Sequence, residues 1–258
     1  MTRHFSATTN RLPEAGAGFV WDRVESSNAL VLRPDVDGVI AAFTTRLGGV
    51  SRAPYDGLNL SFRVGDADEN ARANRKIVGP AVGSGGEWSV VRQVHGSDIV
   101  RSPGPGSLPD ADGHWTDDPG QTLAVLGADC VPVLLAGSGR TGLAHAGWRG
   151  LVAGVVENSV LAVGGKPAVF AGPAIGPCCY EVGPEVVEAF VGRFGSSVVT
   201  DGNRIDLWEA TGTAALQAGA DRFEAARTCT SCHTKLFFSH RRDRGRTGRQ
   251  ALIARVSV

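Results

Sequence analysis

Short apolar runs separated by glycine-rich breaks dominate the hydrophobic pattern of the chain. Phe19-Val20-Trp21 and Val39 to Phe43 have the length and composition of strands, and the turn signal Leu47-Gly48-Gly49 follows the second. Residues 66–78 space their apolar positions as a helix does, and a glycine-rich break spans Gly79 to Gly86. Ser89 to Val94 reads as a strand ending at His95-Gly96, and a loop rich in Pro, Gly and Asp covers 102–120. Three strands are then expected in close order, over 122–126, 131–135 and 141–144, with Ala128-Asp129-Cys130 and Gly137-Ser138-Gly139 between them. The third runs into His145 and Gly147-Trp148-Arg149-Gly150, and residues 151–163 return to helical spacing. A strand over 168–171 opens onto Gly172 to Cys179. Helices near 184–194 and 206–219 follow, then strands near 223–228, 235–239 and 250–257.

This order has no regular βαβ rhythm, and no repeat or low-complexity linker divides the 258 residues. The pattern therefore predicts one domain over 1–258, of the α/β (α+β) class, built as layers of mixed sheet and helix. Residues 1–17 are expected to be a flexible lead-in.

Charge and composition remove several function classes. Lys+Arg and Asp+Glu are equal at 26 each, so no net field draws the chain to nucleic acid or an anionic membrane. The arginines at 241, 242, 244, 246 and 249 cluster, but no interleaved aromatic residues accompany them. No apolar run approaches the ~20 residues that cross a bilayer, and the polar start MTRHFSATTN is not followed by an export signal. A cytoplasmic protein is expected, its five cysteines free thiols or metal ligands rather than a disulfide framework.

Three residues carry candidate chemistry. His95, Cys130 and His145 each sit where a strand is expected to end, and strand ends on one sheet edge converge. Imidazole with thiolate is a donor set for zinc or copper. Three protein ligands leave an open position, the arrangement of catalytic zinc, where a bound water can be acidified to a pKa of about 7. The same spacing also fits a buried thiol and a hydrogen-bonded core histidine, so spacing alone does not decide.

The chain also resembles a known family. The resemblance rests on Phe43-Thr44-Thr45-Arg46 with Gly48 to Ser51, Leu58-Asn59-Leu60, Asn74-Arg75, Gln93-Val94-His95 and Ala111-Asp112-Gly113. It continues through Ala128 to Pro132, Ala144 to Gly150, Gly172-Pro173 with Ile175-Gly176, Cys229-Thr230, Phe237 to Ser239, Arg241-Arg242 and Thr247-Gly248-Arg249. These segments look like the YfiH-type, laccase-domain or polyphenol-oxidase-like family, from about residue 40 to the C-terminus. The resemblance implies a layered α/β/β/α arrangement and zinc ligands at His95, Cys130 and His145. It also implies phosphorolysis of adenosine, inosine, guanosine and methylthioadenosine, with adenosine deamination. Copper-dependent phenol oxidation and editing of peptidoglycan precursors by an amidase are the other activities it brings. Ser239-His240 departs from the family, where tyrosine often follows the serine.

That activity assigns expected roles. Asp129, beside a ligand, is a candidate proton shuttle, or else a partner orienting a ligand histidine or capping a turn. Arg149, at an expected helix start, is the candidate phosphate clamp and catalytic residue. Arg46 is a second phosphate candidate and Asn59 a candidate for base or ribose, although both also suit structural roles. The expected partners are a purine nucleoside and phosphate. Six histidines are few for a multicopper oxidase, and a closed four-ligand site would instead point to a metal-stabilised binding module. Cys229-Thr230-Ser231-Cys232-His233 matches a haem-attachment pattern without its usual context, and the adjacent Cys178-Cys179 would point apart if extended. Structural thiols, or a two-cysteine contribution to a zinc site, are the alternatives there.

Overall fold

The computed structural model describes residues 12–137 and 139–257. In chain order its strands are β1 (Phe19–Arg23), β2 (Leu30–Pro34), β3 (Val39–Thr44), β4 (Ile99–Arg101), β5 (Gly113–Thr116) and β6 (Leu123–Gly127). Then come β7 (Val131–Gly137), β8 (Arg140–Ala146), β9 (Ala168–Ala171), β10 (Arg222–Ala225) and β11 (Gln250–Val256). The helices are α1 (Asp68–Val78), α2 (Trp148–Ala153), α3 (Val155–Val163), α4 (Pro184–Phe194) and α5 (Leu207–Gln217).

The strands form two sheets. The first runs β1-β2-β3-β11-β6 and is antiparallel throughout. The second, β10-β9-β7-β8-β5-β4, is mixed, with parallel pairs at both edges. Leu252 of β11 pairs with Phe43 on one side and Val125 on the other, so the end of the chain forms an interior strand of the first sheet.

The alternation of side chains along these strands builds three apolar layers. Between the sheets, Leu32, Phe43, Val125 and Leu252 meet Leu134, Leu143 and Phe170. Val31, Ala42, Ala124 and Ile253 face outward from the first sheet and are covered by Val78 of α1 and by Val82 and Trp88 beyond it. Val133, Val169 and Ala171 of the second sheet bury against Val156 and Val160 of α3, Phe190 of α4 and Ala214 of α5. The result is the expected α/β/β/α sandwich in one domain. No helix among the described residues is long and apolar enough to cross a membrane.

Several elements differ from expectation, each for a local reason. The helix expected over 151–163 starts at Trp148 and is cut in two at Gly154, whose φ of 94° only glycine adopts without strain. Residues 89–94 are extended but carry only isolated bridges, because the Gln93 side chain takes the ladder's place. Its amide donates to Leu126 O (2.6 Å) and accepts from Leu126 N (3.0 Å). The strand expected at 235–239 is a turn followed by irregular chain, and there Gln250 plays the same part towards Phe238 N (2.9 Å) and O (3.1 Å). Conversely, β4 and β5 lie in or beside the stretch read as loop, and β2 in a run left unassigned. Gly113 to Thr116 has little strand character of its own and is held by β8. The flexible lead-in expected for 1–17 falls mostly outside the described residues, while Pro13 O accepts from Trp21 Nε1 (2.8 Å).

Candidate functional site

The site forms where the chain crosses between the sheets. β6 belongs to the first sheet and β7 to the second, so Ala128-Asp129-Cys130 must turn sharply within three residues. Asp129 takes φ 94° to do so, and His95, at the end of the extended 89–94 segment, takes φ 61°. Positive φ is uncommon outside glycine, and here it falls on two residues of one site. His145 is the penultimate residue of β8 rather than its end, and pairs with Pro132 of β7, two residues from Cys130.

These positions bring the candidate ligands together. One ring nitrogen of each histidine and the Cys130 sulfur lie within 4.8 Å of one another, and the two imidazole centroids are 5.0 Å apart. Gly147 closes the back of the cluster: a Cβ there would come within 3.0 Å of Cys130 Sγ and 3.1 Å of His95 Cδ2. His145 is buried, Cys130 half-buried and His95 exposed, so the group opens to one side.

The carboxylate that organises the cluster is Asp112, which the reading of the sequence gave no role. It is fully buried just before β5, beside β8, and its Oδ1 lies 3.0 Å from His145 Nδ1. Its Oδ2 accepts from Val94 N (3.1 Å) and Gly96 N (2.6 Å), on either side of His95. Burial would raise the Asp112 carboxyl, but His145 and the two amides hold it below the ordinary carboxylate range. The Ala111-Asp112-Gly113 motif was the available signal.

The electrostatics favour charge separation within the cluster. Burial pushes the Cys130 thiol up, yet the charge of His145 and hydrogen bonds from both histidines outweigh it and bring it down to about 6. Burial likewise pushes His145 down, but Cys130 and Asp112 raise it to about 9. A thiolate at neutral pH, with an imidazole pinned through Nδ1 so that Nε2 faces the cluster, is a donor set suited to zinc or copper. The residues present fit a metal ion.

The cluster opens into a cavity of about 1570 Å³ whose wall also holds Arg149, Tyr180, Arg241, Arg249, Arg75 and Trp88. Its charged lining is strongly basic: Arg63, Arg72, Arg75, Lys76, Arg149, Arg241 and Arg249 against Glu87 and Asp129. Arg249 donates to Thr247 O (2.9 Å) and Gly248 O (3.0 Å). Burial lowers its pKa, while Cys130 and Asp129, both close by, raise it. Arg241 stacks on Tyr180 at 5.2 Å, and burial pushes the Tyr180 phenol up to about 12. Arg149 is exposed and stacks on Trp148 at 4.4 Å. The helix that holds it in the first turn has only six residues, so Arg149 offers its own charge more than a helix dipole.

The other expected residues are placed differently. Asp129 lines the cavity, but its carboxylate is occupied by Thr230 Oγ1 (2.6 Å), Ser239 Oγ (3.1 Å) and Arg241 N (2.7 Å). It braces the loops around the site, and the carboxylate that orients a candidate ligand is Asp112. Arg46 and Asn59 do not line the cavity. Arg46 pairs with Asp56 (2.8 Å), donates to Thr234 O (3.3 Å) and stacks on Phe238 at 4.5 Å. Asn59 is fully buried and bonds Ser61 O, Asp66 and Arg249 N, so its side chain fixes the backbone of Arg249 instead of meeting substrate.

Fold and site together define an α/β/β/α protein with a two-histidine, one-cysteine cluster at the mouth of a basic cavity. Residues 40–257 match the family described as multi-copper polyphenol oxidoreductase laccase, and the chain belongs to that family. It is 38% identical over 225 residues to purine nucleoside phosphorylase YfiH of Shigella flexneri, covering 83% of this chain and 92% of that one. It is 36% identical over 252 residues to purine nucleoside phosphorylase YlmD of Geobacillus stearothermophilus, covering 86% and 92%. The crystal structure of YlmD from Geobacillus stearothermophilus superposes with a TM-score of 0.82 at 33% identity, covering 88% of this chain and 96% of that one. The Bacillus licheniformis hypothetical protein YfiH gives 0.84 at 30%, covering 93% and 100%.

Proposed function

We propose that this chain is a cytoplasmic, zinc-dependent purine nucleoside phosphorylase acting on adenosine, inosine, guanosine and methylthioadenosine, with adenosine deaminase activity. The observation that carries the reading is the juxtaposition of the His95–Cys130–His145 cluster with the basic wall of one cavity. The names of relatives matched over most of their length support the reaction class. The five free thiols suit a reducing compartment.

His95, Cys130 and His145 would hold the zinc, which when bound supplies Lewis acidity to whatever occupies its open position. The remaining work falls to the protein's own groups. Arg149, Arg241 and Arg249 supply positive charge for phosphate beside the cluster, where charge-assisted hydrogen bonds are strong. Arg249 is held in advance by its own loop carbonyls and by Asn59. Tyr180 keeps its proton and can donate to a ribose or phosphate oxygen. Arg75, whose guanidinium lies over the buried Trp88 ring at 4.8 Å, adds positive charge to the same wall. Asp112 fixes both histidines without touching substrate.

The donor groups weigh against multicopper oxidation. Among the described residues, the clusters of His, Cys, Asp and Glu close enough to share an ion are this one and a set of four cysteines, so histidines gather at one mononuclear site and at no second or third. The test is incubation of metal-quantified protein with adenosine, with and without phosphate, and with Cys130→Ala as control. Phosphate-dependent adenine and ribose 1-phosphate, together with inosine formed without phosphate, are expected, both lost in the variant. No nucleoside turnover by zinc-loaded protein would sink the reading in favour of precursor amide hydrolysis.

A further inference from the structure

The second cysteine group has a geometry of its own. Cys178 and Cys179 lie in the loop after β9, and Cys229 and Cys232 in the loop after β10. Beyond the parallel pairing of these strands, a single bridge between Ala174 and Cys229 keeps the loops side by side. Adjacent cysteines point apart in extended chain, but Cys178 and Cys179 are in a turn. The amides of Cys179 and Tyr180 both donate to Gly176 O at 2.9 Å. The turn aims both sulfurs at Cys232, at 3.5 Å from Cys178 and 3.4 Å from Cys179. All four Sγ atoms lie within 4.8 Å of one another.

We propose that Cys178, Cys179, Cys229 and Cys232 form a mononuclear structural metal site, filled by zinc. A tetrahedral tetrathiolate with Zn–S bonds of about 2.3 Å puts its sulfurs about 3.8 Å apart, close to the spacing here. Cys229 and Cys232 have the C-x2-C spacing common in such sites. Gly176 N donates to Cys229 Sγ at 3.2 Å, the kind of backbone donor that stabilises a metal-bound thiolate. A Cβ on Gly176 would stand 3.4 Å from Cys178 Sγ and 3.3 Å from Cys229 Cβ, so glycine lets the loop close on the sulfurs. A closed set of four ligands leaves no position for substrate, which makes the role structural. Binding joins the loop carrying Ile175 and Tyr180 to the one carrying Thr230, and each of these loops is tied to Asp129. Ile175 N donates to Asp129 O at 2.9 Å, and Thr230 Oγ1 to its carboxylate at 2.6 Å. The four thiols release their protons as the ion enters, and no redox change is involved.

The test separates the two metal sites. Wild-type protein, expressed with zinc and dialysed, is expected to hold two zinc equivalents by elemental mass spectrometry. Cys130→Ala and His95→Ala are each expected to retain one, as are Cys178→Ser and Cys232→Ser, which alter exposed positions. Cobalt loaded into His95→Ala is expected to show the intense sulfur-to-metal charge-transfer and red d–d bands of a tetrathiolate. Cys232→Ser should lose those bands and unfold at lower temperature. The proposal is overturned if His95→Ala binds no metal after zinc reconstitution while its four remote thiols react as freely as in unfolded protein. It is equally overturned if intact-mass analysis of freshly reduced, zinc-exposed protein finds those cysteines paired as disulfides.

Discussion

Asp112 Oδ1 stands 3.0 Å from His145 Nδ1, while the other oxygen of the same carboxylate holds the amides flanking His95. One buried acid thus fixes the ring of one candidate ligand and the backbone of the other. Asp112→Asn keeps the shape but gives up the charge and one acceptor. Zinc affinity is expected to fall about 10- to 100-fold, the usual cost of losing such a partner. Competition with a chromophoric chelator measures it, and an unchanged affinity would show that Asp112 does not organise the site.

Zinc binding should also report the protonation of the cluster. With Cys130 lowered to about 6 and His145 raised to about 9, the metal-free Cys130–His145 pair between those values carries one proton, on His145, which zinc must displace. Apparent affinity is therefore expected to rise about tenfold per pH unit between about 6 and 9 and to flatten above. Below about 6 a second proton, on the thiol, steepens the slope. For the metal-free fold the signs are opposite for the two groups. The Cys130 contribution is lost as pH falls through about 6, and that of His145 as pH rises through about 9. Between about 6.5 and 9 the pair holds one proton whether folded, on His145, or unfolded, on Cys130, so the two contributions cancel. The part of the stability of chelated protein that comes from this pair should stay nearly level across that window. A Cys130→Ala variant whose melting temperature acquires a fall with rising pH there would expose the hidden His145 half; a variant profile parallel to wild type would contradict the ion pair.

The arginines of the cavity should separate from Arg46. Arg149→Met and Arg249→Met are expected to lower kcat/KM for phosphate about 10- to 100-fold, as loss of a charge-assisted hydrogen bond would. Arg46→Met removes an ion pair and a stacking contact outside the cavity, so it should lower the melting temperature and leave the phosphate KM near wild type. The reverse pattern would return Arg46 to the role first expected of it.

Asp129→Ala should act on stability before chemistry. It leaves Thr230 Oγ1, Ser239 Oγ and Arg241 N without their acceptor, at about 1–3 kcal/mol for each donor left unsatisfied, and loosens the loop that carries Arg241. Chemical denaturation of metal-loaded protein gives the loss. If the variant is as stable as wild type but inactive, Asp129 is a proton-transfer residue after all.

Gly147→Ala tests how tightly the cluster is packed. The added methyl would meet Cys130 Sγ at 3.0 Å and His95 Cδ2 at 3.1 Å, so one ligand must move. Zinc affinity should fall with little change in melting temperature of the metal-free protein. Equal affinity would mean that the His95 segment yields freely.

Much of this protein was set by local pattern. The apolar runs over 39–43, 122–126, 131–135 and 250–257 became strands because each is apolar enough to be buried on both faces, between a neighbouring sheet and a helix layer. The candidate ligands His95, Cys130 and His145 were legible as residue types beside sharp turns, and the family motifs pointed to the same three. What the local pattern left open was decided by partners distant in sequence. Gln93 and Gln250 answer backbone groups 33 and 12 residues away, turning expected strands into irregular chain. Gly113 to Thr116 became a strand because β8 and β4 pair with it on either side. Asp112, 33 residues from His145, meets it across the pairing with β8. Periodicity records which face of a segment is buried. It does not record which side chain will satisfy a buried polar group, because that depends on which segment the tertiary fold lays alongside.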